Sequence, residues 1–351
     1  MTETAIHPRL NFTGATGGQY LGAATALSFG NPKQELAGLY SGCGIFDLSW
    51  RAQIIAAGKD RVRWLHNMVT NSVRDLAVNR GNHNFVLNAQ GRILGDLYIF
   101  NRGEYLLLET DHNQVETLLA TLKRFIIMDK VELTGPIETR TAIGVCGPKS
   151  AGILAACGLD VAGMEPLEVR DASADTTVTI IRGPEQKPHW YELWLDASQA
   201  QATWDRLAAA GAQPAGAEAL ELWRVLHGIP QYGQDIRDRD LPQETGQAQA
   251  LHFSKGCYIG QEIVERIRSR GQVHRKFTGF EFDRMPAPGK YDADGRTLAE
   301  ITTAVSVPAA GGEKLIGLGY LRREAADAGA ELDLGGTKAR AVELPFEFTM
   351  N

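Results

Sequence analysis

Short apolar runs with turn residues between them dominate the first part of the chain. Runs at residues 51–57, 84–87, 93–100 and 105–109 have the length and the boundaries of strands. Next comes an amphipathic segment, residues 115–125, with apolar positions at helical spacing. This part of the chain therefore predicts a hairpin, a further strand and a helix.

The same order of elements returns further along the chain. Strand-like runs at residues 176–182 and 190–195 precede a helical segment around Trp204. Another helix is expected from Ala217 to just before Gly228, because glycine is common immediately after a helix end. Two similar units of mixed strands and helices predict an α+β body.

The pattern of apolar runs and turn residues changes after about residue 275. Strand-like runs at residues 277–282, 297–307, 315–321 and 339–344 alternate with turns that are rich in glycine and proline, and no long helical pattern remains. This pattern predicts a small all-β domain at the end of the chain, and we expect a barrel.

The composition and charge of the chain limit the classes of protein to which it can belong. The chain has 351 residues, 44% of them hydrophobic, and a formal net charge of −6, which disfavours a broad electrostatic grip on nucleic acid. It has no apolar run long enough to span a membrane and no secretory signal at its start, so we expect a cytoplasmic protein. Residues 1–40 are expected to be a flexible lead-in, with packing of residues 11–24 against the body as the alternative.

The four cysteines form no Cys-x-x-Cys pair and have no histidine at metal-ligand spacing. We therefore expect no metal site and reduced thiols. Cys257 differs from the other three because it lies in Lys-Gly-Cys-Tyr-Ile-Gly-Gln-Glu, just before a predicted helix start near Gln261. The helix dipole and Lys255 would both lower the pKa of its thiol and favour thiolate. The alternative is a small, buried turn cysteine.

That octapeptide, residues 255–262, resembles the signature of the YgfZ family. Three other segments resemble the wider superfamily of the glycine-cleavage T-protein. They are residues 44–49 (Gly-Ile-Phe-Asp-Leu-Ser), residues 87–96, which end at Asp96, and the stretch from Arg224 to Pro242. The resemblance covers the chain from about Gly44 to its end.

The resemblance implies an architecture. It consists of two intertwined folate-binding α+β domains around a central hole, with a C-terminal β-barrel. With this resemblance, the predicted boundaries are a lead-in at residues 1–40, a first domain at 41–135, a second domain with the signature at 136–275, and the barrel at 276–351.

The resemblance also implies a tetrahydrofolate site. Asp96 matches the aspartate that faces the reactive nitrogens of the folate. The alternative is an ordinary polar residue at the edge of a hairpin. Arg224 matches an arginine suited to the glutamate tail of folate or to a carboxylate partner. A surface position is the alternative for Arg224, although its apolar neighbours indicate a buried helix.

Two further assignments leave alternatives open. Glu192 matches a glutamate that pairs with the N–H donors of the pterin ring, but the usual Thr-Gly-Glu before that strand is absent here. Glu185 therefore competes for this role, and an ordinary solvated glutamate is the third possibility. Phe100 would stack on the pterin or fill the core, and we favour the core.

The family implies an accessory protein for iron–sulfur cluster assembly or repair that also supports radical enzymes modifying tRNA. It would act through Cys257, assisted by Lys255, and its partners would be a reduced folate and iron–sulfur client or assembly proteins. One alternative is a tetrahydrofolate-dependent aminomethyltransferase, against which the cysteine signature argues, because T-proteins carry a segment of the type Asp-Phe-Ile-Gly-Lys there. The other alternative is a folate-binding module without chemistry.

Overall fold

The computed structural model describes residues 12–173, 177–184, 189–271, 273–293, 295–326 and 331–347. Its helices are α1 (Pro32–Ser41), α2 (Arg61–His66), α3 (Val115–Lys123), α4 (Ser150–Ala156), α5 (Ala200–Ala209), α6 (Ala217–Leu226), α7 (Gln261–Arg270) and α8 (Arg323–Ala326). Its strands are β1 (Thr16–Tyr20), β2 (Ala23–Ser28), β3 (Gly44–Asp47), β4 (Arg51–Ala57), β5 (Gly81–Leu87), β6 (Ile93–Asn101), β7 (Leu106–Asp111), β8 (Glu132–Thr134), β9 (Arg140–Cys146), β10 (Val169–Ser173), β11 (Thr177–Arg182), β12 (Trp190–Asp196), β13 (Gln213–Pro214), β14 (Arg275–Phe282), β15 (Gly289–Ala293), β16 (Arg296–Ala309), β17 (Gly312–Arg322), β18 (Glu331–Asp333) and β19 (Lys338–Val342).

The chain divides into two compact units, and each is made of several segments. Unit 1 comprises residues 1–66, 72–84 and 97–220, and unit 2 comprises residues 67–71, 85–96 and 221–351. The mixture of helices and antiparallel sheets is the α+β class that the pattern predicts.

Unit 1 contains a six-stranded sheet in the order β10-β11-β12-β9-β3-β13. The pairs are antiparallel except for β3 and β13, which run parallel. A hydrophobic core lies on the sheet face that carries Tyr191, Leu193 and Leu195, and helices α4 and α5 cover it with Leu154 and Leu207.

This sheet differs from the predicted division into consecutive domains. Strand β3 was assigned to residues 41–135 and β9 to residues 136–275, yet the two strands pair directly from Gly44↔Cys146 to Asp47↔Ile143. Pairing joins strands that are distant in sequence, so a boundary placed between consecutive segments at residue 135 separates two strands of one sheet.

A second sheet has the order β5-β6-β7-β4-β8. It is the hairpin-and-strand unit predicted from the first apolar runs, and helix α3 follows it as expected. The tip of the β5–β6 hairpin, residues 85–96, belongs to unit 2, and the rest of the sheet belongs to unit 1.

The segment that we expected to be a flexible lead-in contains two strands and a helix. Strands β1 and β2 form an antiparallel hairpin, and α1 follows with Leu36 and Leu39 fully buried. The side chain of Asn31 caps α1 by accepting from the Lys33 amide, and proline occupies its first turn. Residues 16–28 and 32–41 therefore form regular secondary structure, whereas residues 1–11 of the expected lead-in lie outside the residues that the structure describes.

The C-terminal strands form one antiparallel sheet in unit 2, in the order β15-β16-β17-β14-β19-β18. Its core contains Phe280, Ile301 and Leu321. The all-β character after residue 275 is as predicted, but the sheet is a curled half-barrel whose described edges are β15 and β18. We expected a barrel. Within the residues that the structure describes, the ladder of paired strands ends at these two strands, so the sheet stays open.

Candidate functional site

Cys257 is the exposed cysteine of this protein, whereas Cys43, Cys146 and Cys157 are buried. It lies in the turn before α7, within residues 255–262, which we call the thiol segment. Helix α7 begins at Gln261, where the sequence predicts it, and Gly260 precedes it with a φ of +82°. Glycine adopts this left-handed conformation without the strain that a Cβ would cause.

Two buried side chains anchor the thiol segment on either side of Cys257. The ammonium of Lys255 donates hydrogen bonds to the carbonyl oxygens of Val69, at 2.6 Å, and of Asn71, at 2.7 Å. The same ammonium lies 5.0 Å from the centre of the Tyr258 ring, and Tyr258 packs in the hydrophobic core of unit 2. An exposed thiol is thus held between two fixed neighbours.

The contacts of Lys255 give it a structural task that the sequence did not indicate. We expected its charge to stabilise a Cys257 thiolate. The side chain is only 8% exposed, and its ammonium is directed at the loop of residues 67–71. Its charge therefore fixes this loop against the thiol segment, and an influence on the thiol stays a prediction.

A close backbone approach completes the anchoring. A Cβ on Gly260 would lie 2.6 Å from the carbonyl oxygen of Asn88, and a Cβ on Gly91 would lie 2.8 Å from the Cβ of Ile263. Both distances are too short for real atoms. The two glycines allow the start of α7 to pack on the tip of the β5–β6 hairpin.

The other cysteines have environments that suppress reactivity. Burial, with a smaller effect from Cys157, raises the pKa of Cys43 to about 12. Burial also raises the pKa of Cys157, although Arg206 acts in the opposite direction. Because the thiolate is the nucleophilic form, Cys43 and Cys157 are poor nucleophiles at neutral pH.

Arg224 lies on α6 and is 8% exposed, as the apolar residues around it indicated. Its guanidinium binds Asp235 at 2.5 Å and Glu221 at 2.5 Å, and it also donates to the Ile229 carbonyl and to Thr303. These bonds occupy all five of its N–H donors. A folate carboxylate would have to displace one of these partners, so the structure favours an internal clamp for Arg224.

Asp96 and Phe100 both lie on β6, where residues two apart share a face. Asp96 is half-buried and belongs to unit 2. There burial raises the pKa of Tyr232, and the nearby charges of Asp238, Asp96 and Asp240 add to this effect. Phe100 is 1% exposed in unit 1 and its ring stacks on Tyr98, so it occupies the core position that we favoured.

Glu192 lies at the centre of β12, on the face opposite to the Tyr191 core. It accepts hydrogen bonds from the indole N–H groups of Trp190, at 3.4 Å, and Trp194, at 3.2 Å. These donors hold the carboxylate in a fixed orientation. The competing Glu185 lies outside the residues that the structure describes.

A buried group of charges adjoins Glu192 within unit 1. Arg51 on β4 binds Glu109 Oε1 through its Nε, at 2.9 Å, and its NH2, at 2.8 Å, and it binds Asp111 at 2.6 Å. The negative charge of Glu192 on β12 also acts on Glu109. We call Arg51, Glu109, Asp111 and Glu192 the carboxylate cluster.

Burial raises the pKa of Glu109 well above its usual range, and the charge of Glu192 adds to this effect, whereas Arg51 opposes it. The guanidinium of Arg51 keeps its proton, because Glu109 and Asp111 outweigh the cost of burying its charge and raise its pKa. Desolvation penalises a second buried negative charge next to Glu192.

The strand register extends this cluster into a polar row. Glu109 on β7 is directly opposite Tyr98 on β6 and Gln53 on β4, and directly opposed residues share one face of a sheet. His83 stacks on Tyr98 with ring centres 4.8 Å apart. Gln53 is 2% exposed, and neither its amide nitrogen nor its amide oxygen has a hydrogen-bond partner among the residues described.

Arg51, Gln53 and Glu109 were not among the site residues predicted from the sequence. A signal was available: Glu109 ends the apolar run Leu106–Leu108, and a charged residue inside a buried strand requires a partner. The partner could not be identified, because Arg51 and Glu192 lie far from Glu109 in sequence.

Comparison with known proteins identifies the family. The model of the GCVT N-terminal domain matches residues 6–255. The chain belongs to this family. It is 28% identical over 337 residues to the aminomethyltransferase of Geobacillus kaustophilus, which covers 92% of this chain and 91% of that protein. The aminomethyltransferase of Herpetosiphon aurantiacus is 26% identical, over 99% of this chain and 98% of the relative.

A solved structure agrees with this assignment. Glycine cleavage system aminomethyltransferase T of Bartonella henselae superposes with a TM-score of 0.83 over 96% of each chain, at 20% identity. At this identity the likeness shows the fold. The GCVT family member described here is thus a distant homologue of aminomethyltransferases with the T-protein fold.

Two kinds of feature are absent from the part of the chain that the structure describes. Within the described ranges, no helix is both long enough and apolar enough to cross a membrane. The same residues contain no group of three or more histidine, cysteine, aspartate or glutamate side chains that could hold a metal ion.

Proposed function

We propose that this GCVT family member belongs to the YgfZ branch and is a tetrahydrofolate-binding accessory protein for iron–sulfur cluster assembly or repair. In this proposal Cys257 is the functional thiol, and the clients include radical enzymes that modify tRNA. The observation that carries the proposal is the exposed Cys257, held in an anchored segment whose sequence resembles the YgfZ signature. Its four free cysteines suit a reducing compartment, and we propose a cytoplasmic location.

The residues of unit 1 fit part of a folate. A pterin ring carries adjacent N–H donors and a carbonyl acceptor on a flat aromatic body. Glu192 supplies an acceptor carboxylate, and Gln53 supplies an unsatisfied buried amide that can donate and accept. Tyr98, with His83 stacked on it, supplies aromatic surface.

In this proposal Asp96 keeps the role that the resemblance implies, in which its carboxylate would orient an amine of the ligand and stabilise positive charge on it. When bound, a reduced folate would supply one-carbon chemistry. Phe100 is committed to the core of unit 1 and Arg224 to internal carboxylates of unit 2, so we assign both to the fold and not to contacts with the ligand.

A deletion strain tests the role of Cys257. Activity of iron–sulfur enzymes should be restored by the wild-type protein and by Cys157→Ser, but not by Cys257→Ser. Because Cys257 is exposed, its serine variant should accumulate to the wild-type level, which an immunoblot can check. Full rescue by Cys257→Ser at equal abundance would reject the functional thiol.

The second candidate is a tetrahydrofolate-dependent aminomethyltransferase. It is favoured by the names of the similar proteins, which match nearly the whole chain. The test is ammonia release from a methylamine-loaded lipoyl protein with tetrahydrofolate. We expect negligible release, since the thiol segment stands where T-proteins carry another sequence, and release at the rate of a true T-protein would favour this candidate.

A further inference from the structure

One face of the C-terminal sheet of unit 2 carries charged residues from three neighbouring strands. Lys290 on β15 is directly opposite Glu300 on β16, and Glu300 is directly opposite Tyr320 on β17. Directly opposed residues share a face of a sheet, and residues two apart on a strand do so as well, so Arg322 lies on this face too. Leu321 belongs to the opposite face, where the hydrophobic core of the sheet lies. The charged face is therefore separate from that core.

This face lines a cavity of about 340 Å³. Ligand cavities in proteins measure about 300–1,000 Å³, so the volume suits a small molecule. The acidic residues that line the cavity are Glu244 and Glu300, and the basic residues are His274, Arg275, Lys290, Arg296 and Arg322. All of them belong to unit 2. We call this the basic cavity.

Both acidic side chains of the basic cavity are already bound to arginines. Glu300 is 6% exposed, and its carboxylate accepts from Arg275, at 3.1 Å, and binds Arg237, at 2.9 Å. Arg275 also donates to Glu244, at 3.0 Å. The complete network contains three guanidinium groups and three carboxylates, those of Arg237, Arg239, Arg275, Asp240, Glu244 and Glu300. Its charges are therefore balanced within the fold.

The buried lining residues form a fixed floor for the cavity. Tyr320 is 1% exposed, and the guanidinium of Arg275 lies 4.3 Å from the centre of its ring. Arg275 is thus held by carboxylates on one side and by an aromatic ring on the other. Because these groups are ordered before a ligand arrives, binding does not have to order them.

The remaining strong cations of the cavity are not balanced in this way. Lys290 and Arg296 are exposed, and neither has an ion pair with a residue in the ranges that the structure describes. Arg322 lies 3.8 Å from the carboxylate of Glu324, which is 85% exposed, and an exposed pair at this distance contributes little. The basic cavity therefore has excess positive charge, although the chain has a formal net charge of −6.

The ligand class follows from the type and number of these cations. A guanidinium presents a planar fork of N–H donors that matches the oxygens of a phosphate group, and an ammonium adds a compact charge. A phosphate group offers three acceptor oxygens and nearly two negative charges, whereas a carboxylate offers two oxygens and one charge. The phosphate therefore suits a cavity with Lys290, Arg296 and Arg322 around it.

We propose that the basic cavity binds a small molecule that carries a phosphate or diphosphate group. The buried network orients the floor, and the exposed cations of β15, β16 and β17 bind the phosphate oxygens. This proposal does not rest on the proposed function, since none of its residues is assigned to folate or to the thiol segment.

Titration calorimetry of the full-length protein with pyrophosphate tests the proposal. We expect saturable binding at one site per chain, with an affinity that falls as the salt concentration rises, because the exposed cations are screened by salt. Absence of saturable binding at millimolar pyrophosphate overturns the proposal.

Substitutions locate the site. Lys290→Gln and Arg296→Gln should each weaken pyrophosphate binding about tenfold, the loss expected for one charge-assisted hydrogen bond. Both should keep the wild-type Tm, since their side chains are exposed. The matched control is Arg284→Gln, which removes an exposed positive charge of the same unit that does not line the cavity, and it should bind like the wild type. Equal weakening by Arg284→Gln and Arg296→Gln would reduce the effect to net charge and reject the site.

Two competing ligands test the chemical class. Succinate should bind much more weakly than pyrophosphate, and equal affinity would reject the phosphate. A short single-stranded RNA should not bind in a way that pyrophosphate fails to displace, and such binding would mean a nucleic-acid contact instead of a small ligand. Cys257→Ser should bind pyrophosphate as tightly as the wild type, so this proposal and the proposed function can fail separately.

Discussion

Both the carboxylate cluster and the thiol segment bury charged side chains, but they use the charge differently. In the cluster, the guanidinium of Arg51 binds two carboxyl groups, those of Glu109 and Asp111, and burial raises the pKa of Glu109. In the thiol segment, the ammonium of Lys255 is satisfied by two backbone carbonyl oxygens and fixes a loop. The first arrangement joins side chains of two neighbouring strands, β4 and β7, whereas the second holds the backbone of one loop against the thiol segment.

The role of a buried charge depends on the partners that it contacts. A lysine that donates to backbone carbonyls is a scaffold group, because its hydrogen bonds are made within the fold. A buried carboxyl group whose pKa is raised has its charge set by the balance between burial and the neighbouring guanidinium. Burial alone would have placed Lys255 and Glu109 in the same category.

The largest expected effect on stability comes from a substitution that breaks the carboxylate cluster. Arg51→Met should lower the free energy of unfolding by about 3–5 kcal/mol, because it leaves Glu109 and Asp111 without their buried counter-charge. Urea unfolding at neutral pH measures this loss. The matched control is Arg63→Met, whose exposed ion pairs should contribute less than about 1 kcal/mol. Equal effects of the two variants would show that the cluster is not a buried charge site.

A smaller effect should follow from releasing the loop. Lys255→Met keeps the apolar stem but removes two charge-assisted hydrogen bonds, so unfolding should become easier by about 2–3 kcal/mol. Hydrogen exchange should also rise at residues 67–71. Lys276→Met, at an exposed position in the same unit, should change stability by less than about 0.5 kcal/mol. Loss of Cys257 reactivity without any loss of stability would instead support the electrostatic role that the sequence suggested.

The smallest effect on stability should accompany the largest difference in reactivity. Cys257→Ser should change the free energy of unfolding by less than about 0.5 kcal/mol, since its side chain is exposed. Iodoacetamide at neutral pH should label Cys257 before the other cysteines, and Cys43 should resist labelling until the protein unfolds. Mass spectrometry of peptides after timed quenching gives the order. Early labelling of Cys43 would mean that its burial is transient.

Much of the fold could be predicted because its signals are local. Turn residues between apolar runs located the β5–β6 hairpin, and glycine at position 260 preceded the helix start at Gln261. The pairing of β3 with β9 and β13 could not be found, because strand pairing depends on partners distant in sequence. The hairpin of β1 and β2 was missed for a related reason: its glycine and alanine content resembles a linker.

The candidate site shows the same limit at the level of side chains. The position of Cys257 just before the start of α7 followed from local signals, so it was accessible to sequence reasoning. The direction of the Lys255 side chain was not, since its long stem reaches carbonyls in a loop from a distant part of the chain. Glu109 was overlooked because a glutamate at the end of an apolar strand can be recognised as part of a charge cluster only when Arg51 and Glu192 are known to lie near it.

The position of β3 has a consequence for how the chain is made. A ribosome releases Gly44–Asp47 long before Arg140–Cys146, and longer still before Gln213–Pro214, yet β3 pairs with both of these strands. During synthesis β3 must remain an unpaired edge, which is the form of a strand most prone to wrong associations. Contacts of such sequence separation also slow folding. Nascent chains that stall before Cys146 cannot complete this sheet, so they would depend on chaperones for as long as translation is paused.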